Sequence, residues 1–187
     1  MSRIHKKNCK KPIILNKNEF EKKSINKLVL YRGVSEKRFA DAFKRGEIYI
    51  GEGRFNQRGC GIYTTNNVNL AKQWYGNNDD NNVIKMFFNK KVNFLENDYL
   101  EEIKNIIVRL HPNDFFDRID YEYCCYNNSA DSRKSKMSAA FNNNGLLAKL
   151  LGYDILHSHY CGDMYSPYGV YTQEYLILDT GILTISN

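Results

Sequence analysis

Proline is scarce in this chain, with three in 187 residues. Long proline-rich linkers are therefore excluded, and the length suits one domain able to bury a real core. No apolar run approaches the roughly 18 residues that a membrane helix needs, so no span is expected. The start, "MSRIHKKNCKKPIILNKNEF", is basic but holds an apolar run of only a few residues. That is too short for the hydrophobic region of a secretory signal, and none is expected. Cysteine lacks pattern: the five form an odd count, Cys124 and Cys125 are adjacent, and no CxxC spacing occurs. Neither a disulfide framework nor a zinc site is indicated, and reduced thiols in a cytosol fit. The loop "GEGRFNQRGCG" has no Gly-Lys-Ser/Thr ending, which excludes a phosphate-cradling triphosphate loop.

What is present is positive charge and tyrosine. The formal net charge is +6. Lys6, Lys7, Lys10, Lys11, Lys17, Lys22, Lys23 and Lys27 crowd the first 27 residues. Such an arm either contacts an acidic partner, a nucleic acid or a membrane surface, or is a solvated leader. Residues 1–27 are accordingly expected as a basic arm, and 28–187 as the folded domain. Tyrosine is the commonest aromatic, at 14 residues.

The hydrophobic pattern alternates between periods. "KLVLYRG" reads as a buried strand stopped by glycine. "SEKRFADAFKRG" predicts a helix capped by Ser35, with Phe39, Ala42 and Phe43 inward and Gly46 at its end. "EIYIG" and "IYTT" read as strands, and "VNLAKQWYG" as a helix capped by Asn66 or Asn67. "VIKMFFN" and "KVNFLE" follow as strands. "DYLEEIKNIIVRLH" is amphipathic, with Leu100, Ile103, Ile106, Ile107 and Leu110 on one face. "MSAAFNNNGLLAKLLG" holds one or two helices, and "YDILHSHY", "GVYTQEYLILD" and "GILTIS" are strands. Strands at both ends with helices early and in the middle predict an α+β fold.

Three segments carry chemistry together. "LVLYRG" presents Arg32 at a strand end, "GCGIYTT…AKQWY" presents Tyr63 and later aromatics, and "VYTQEYLILD" presents Glu174. This ordered set resembles the ADP-ribosyltransferase superfamily. "GIY" before a helix ending in Tyr, and "QEYLILD", look like the poly(ADP-ribose) polymerase branch. The leading Arg-Gly looks like the arginine-type bacterial toxins and effectors. The resemblance spans Leu28 to about Leu183. It implies an ADP-ribosyltransferase-like fold, with two small, mostly antiparallel sheets around an NAD cleft and flanking helices.

The resemblance also implies roles. NAD is a substrate, not a resident cofactor, and no metal is required. Glu174 stabilises the oxocarbenium-like centre formed when nicotinamide leaves the ribose. Arg32 pairs with the NAD diphosphate or adjoining ribose through its fork of donors. Gly33 lets a flat carboxamide reach its main chain. Tyr63 lies against the nicotinamide ring, with Trp74 or Tyr75 closing the other side; an aromatic after a strand is otherwise core. Thr65, sharing a strand face with Tyr63, is the better of Thr64 and Thr65 to hold the catalytic acid.

Departures narrow the activity. Related toxins carry Glu or Gln two residues before the catalytic acid, where it engages the acceptor; Thr172 stands there, with Gln173 between. A threonine is no general base, which weighs against transfer to arginine. The missing histidine in the first motif weighs against polymerisation. The expected protein is a monomeric mono-ADP-ribosyltransferase of bacterial effector or toxin type. Its acceptor would be a protein in first place and a nucleic acid in second. Its site of action would be a cytosol, reached by delivery into a host cell. An NAD glycohydrolase and an inactive NAD- or ADP-ribose-binding module are the alternatives. His157, His159 and Cys161 fall on one short strand, and without an acid nearby they are not expected to bind a metal.

Overall fold

Val29–Gly33 form β2, and in the computed structural model the sheet extends to both sides of it. The structure describes residues 11–47, 61–74, 76–110, 143–161 and 171–187. On one side β4 (Val83–Phe88) runs antiparallel to the full length of β2, Arg32 facing Ile84. On the other side β3 (Ile62–Thr65) joins β2 through a single register pair, Tyr31 with Thr65. Next come β7 (Tyr171–Ile177), antiparallel to β3, and β6 (Ile155–Cys161), antiparallel to β7. The edge strand β5 (Phe94–Glu96) lies parallel to β6. Beyond β4 stand β8 (Leu183–Ser186), antiparallel to it, and β1 (Ile13–Leu15), parallel to β8.

The described strands make one mixed eight-stranded sheet, ordered β1-β8-β4-β2-β3-β7-β6-β5. The α+β class is as expected, but two separate sheets are not what the ladder forms. Hydrophobic periodicity marks strands without naming their neighbours, so it could not reveal the narrow β2–β3 joint that makes the sheet continuous.

The larger correction concerns the basic arm. Residues 13–24, expected in a leader, form β1 and the helix α1 (Lys17–Ser24). Asn16 caps α1, its side chain accepting from the Glu19 N–H at 3.0 Å. Phe20 is buried, its ring centroid 5.0 Å from that of Phe87 on β4. The lysines conceal a short amphipathic pattern, because one buried aromatic suffices to dock a two-turn helix whose other faces are solvated.

The remaining helices follow the sequence with local shifts. In α2 (Lys37–Lys44) the cap position is Glu36, not Ser35. Ala40, Ala42 and Phe43 are buried, whereas Phe39, expected inward, is exposed under the Arg38 guanidinium. Gly46, with φ 77°, ends the helix as expected. Of the two candidate caps for α3 (Val68–Trp74) it is Asn67 that acts, accepting from the N–H groups of Asn69 and Leu70. In α4 (Asn97–Leu110) Leu100 is fully buried and Ile103 packs inward, while Ile106 is exposed. The last helix is α5 (Asn144–Leu150). The strand expected in "EIYIG", the loop over 51–60 and any helix over 137–142 lie outside the described residues.

Two cores result. On one face of the sheet Leu30, Ile62, Ile84, Met86 and Ile177 pack with Ala40 and Phe43 of α2. On the other, Leu95, Leu156, Leu176 and Leu178 pack with Leu100 of α4 and Ala148 of α5. No helix among the described residues is long and apolar enough to cross a membrane.

Candidate functional site

The strand order sets the three chemically suggestive segments side by side as β2, β3 and β7. Thr65 on β3 is the direct cross-strand partner of Glu174 on β7, and on its other side it faces Tyr31 of β2. Residues in register across a sheet point to the same face, so the Thr65 and Glu174 side chains are neighbours. Tyr63, two positions back, shares this face and packs at the margin of the Leu95, Leu100, Leu156 and Leu176 cluster. The structure therefore brings Tyr63, Thr65 and Glu174 together.

Glu174 is partly buried, and Thr65 is almost fully so. The Thr65 hydroxyl accepts from the Asn67 N–H at 3.2 Å, tying the strand end to the cap of α3. Thr64 points to the opposite face, where its hydroxyl donates to the Tyr175 carbonyl at 2.9 Å and pins β3 to β7. Beyond Glu174 stands Ser158 of β6, also in direct register with it. Ser158 is buried, and among the described residues its hydroxyl has no hydrogen-bond partner. Glu174 is thus flanked by one hydroxyl-bearing residue on each neighbouring strand. Sequence reasoning missed Ser158. The signal was present in "LHSHY", where alternation sends Ser158 away from both histidines, but only the β6–β7 pairing says what it meets.

Arg32 sits on the adjacent strand with a different orientation. Alternation directs it to the Phe43 face, where its guanidinium lies 5.4 Å from that ring's centroid. From there its Nη1 donates to the Tyr63 carbonyl at 3.1 Å. Continuing the Tyr31–Thr65 register would oppose Tyr63 with Gly33; instead a side-chain donor from β2 reaches that carbonyl. The guanidinium accordingly spans the β2–β3 joint, next to the strand carrying Tyr63 and Thr65 but not on the face of Glu174.

Gly33 has a packing cause. A Cβ there would stand 1.9 Å from the Ala71 carbonyl oxygen and 2.8 Å from the Gly76 nitrogen, so only glycine lets α3 cross β2 this closely. Trp74 is the last residue of α3, and Tyr75 lies outside the described residues. Thr172 is on β7 opposite Tyr160. Gln173 is on the face opposite to Glu174, and its side-chain oxygen accepts from the Asn66 amide at 3.2 Å and from the Tyr175 hydroxyl.

A second polar cluster occupies that opposite face. His157 is buried, stacks on Tyr175 at 4.6 Å, and is the parallel register partner of Glu96 on β5. Its Nδ1 lies 2.7 and 2.9 Å from the two Glu96 carboxylate oxygens. Burial, and secondarily the Glu96 charge, push the Tyr175 phenol above its ordinary value. The expectation that no acid lies near the histidines is corrected here. Glu96 precedes His157 by 61 residues, and only the parallel β5–β6 pairing joins them.

Searches against family models, curated proteins and solved structures find no match to this chain.

Proposed function

We propose that this chain has an ADP-ribosyltransferase-like fold and transfers a single ADP-ribose unit from NAD to a macromolecular acceptor, releasing nicotinamide. The observation that carries this reading is the Thr65–Glu174 cross-strand pair, with Arg32 on the strand next to Thr65. In the proposed reaction the ribose–nicotinamide bond breaks and its electron pair leaves with nicotinamide. The Glu174 carboxylate stabilises the positive charge left on the ribose carbon, and the acceptor's nucleophile closes on that carbon. Thr65 steadies the carboxylate, Tyr63 lines the nicotinamide side, and Arg32 binds the diphosphate at the β2–β3 joint. By the sequence resemblance, Trp74 or Tyr75 is expected to close the ring slot. Gly33 keeps its expected main-chain contact with the carboxamide in this proposal, beside its packing role under α3. A protein acceptor is the first choice, the step needs no metal, and a bacterial effector acting as a monomer in a host cytosol is the setting.

A second reading, NAD hydrolysis with water as acceptor, is favoured by one observation. Gln173, the residue beside Glu174 with acceptor-binding capacity, faces away from it and has its amide oxygen engaged by Asn66 and Tyr175. The test is incubation with adenine-labelled NAD and a host-cell lysate. Label in macromolecules together with free nicotinamide supports transfer, and nicotinamide without labelled macromolecules supports hydrolysis. Intact NAD in both arms rejects the enzyme.

A further inference from the structure

We infer that Glu96, His157 and His159 form a binding site for one divalent transition-metal ion of the zinc class, on the sheet face opposite to Glu174. Each residue offers one ligand atom, and the three atoms lie within 4.8 Å of one another. Their arrangement follows from the fold. His157 and His159 alternate on β6 and so share a face, with ring centroids 4.8 Å apart. The parallel partner strand β5 delivers Glu96 directly beside His157, carboxylate to Nδ1 at 2.7 Å.

Two imidazoles and one carboxylate suit a borderline cation; calcium and magnesium prefer all-oxygen shells. With bonds of roughly 2.0–2.1 Å, tetrahedral ligand atoms stand about 3.3 Å apart. The exposed His159 ring can close that distance by rotation, and the Glu96 carboxylate opens to it from its 2.7 Å contact with His157. His157, in contrast, is held by its stack on Tyr175. One ligand is therefore preorganised and the other two are adjustable. Three protein ligands leave a position for water or a small donor, and His159 gives the site access to solvent. Ser158 separates the histidines in sequence but faces Glu174, so this site lies apart from the proposed transfer chemistry and does not depend on it.

The test is a titration of the chelator-treated full chain with Co(II) and with Zn(II). The expected result is one ion per chain, with the strong visible bands of four-coordinate Co(II) and without thiolate charge-transfer absorption. Zn(II) should displace the cobalt and raise the melting temperature. His159→Ala changes an exposed side chain and should fold normally while binding Zn(II) at least ~100-fold more weakly, the upper end of the loss for even an outer-shell partner. Glu96→Gln should fall in the same direction. No binding by the wild-type chain, a thiolate band, or unchanged affinity in both variants overturns the assignment.

Discussion

Thr65 and Glu174 stand directly opposite one another on β3 and β7, on the sheet face that also carries Tyr63. A carboxylate half-way into a sheet needs hydroxyl or cationic neighbours to remain charged at modest cost. Thr65 on one flank and Ser158 on the other provide two such residues.

Thr65→Val keeps the branched shape and removes the hydroxyl. The Asn67 N–H then loses the acceptor at the α3 cap, which should cost about 1 kcal/mol of stability, read from chemical denaturation. Nicotinamide release should fall by about 10-fold, equivalent to ~1.4 kcal/mol of lost transition-state stabilisation. Loss of stability with unchanged release would confine Thr65 to the cap.

Gly33→Ala should be severely destabilising, by about 3 kcal/mol or more, because the added carbon would stand 1.9 Å from the Ala71 carbonyl oxygen of α3, a backbone atom and not the end of a flexible side chain. Gly152→Ala is the control. There nothing lies within 4 Å, and only the positive φ of 88° opposes a side chain, at a cost of about 1 kcal/mol. Similar melting temperatures for the two variants would contradict the close α3–β2 crossing.

Deleting residues 1–26 removes β1 and α1 and uncovers Phe87. The truncated chain should fail to fold or melt far below the full chain. Phe20→Ala isolates the largest part of this effect and should cost about 3–5 kcal/mol. A truncated protein with native circular dichroism and an unchanged melting temperature would restore the view of this stretch as a dispensable arm.

These cases also mark how far the sequence could be read. From β2 onward the described strands and helices were found by their periods, and Asn67, Gly46 and the amphipathic start of α4 behaved as their chemistry suggests. What failed was partnership. Phe20 was hidden among lysines because its burial depends on Phe87, far along the chain. Glu96 was not associated with His157 for the same reason, and the continuity of the sheet rests on one β2–β3 pair that no local pattern announces. The candidate site was legible as far as Tyr63, Thr65 and Glu174, whose alternation fixed a shared face once β3 and β7 paired. The orientation of Arg32 and the flank supplied by Ser158 required the structure.

Arg32→Lys keeps the charge but gives up the planar fork that can span the Tyr63 carbonyl and a diphosphate together. NAD affinity should weaken by about 10-fold, equivalent to ~1.4 kcal/mol, with a smaller change for free nicotinamide, which has no phosphate. Isothermal titration with both ligands separates these effects, and equal losses would assign Arg32 to the β2–β3 joint alone.

The most direct measurement is nicotinamide release from NAD by wild type and Glu174→Gln, followed under single-turnover conditions. Glutamine preserves the size of the side chain and some of its hydrogen bonding, so the melting temperature and NAD binding should stay close to wild type. Release should drop by at least ~100-fold, the scale of removing one electrostatic group from a transition state. Release at the wild-type rate from a normally folded variant would show that Glu174 does not carry the chemistry, and the proposed transferase would have to be abandoned.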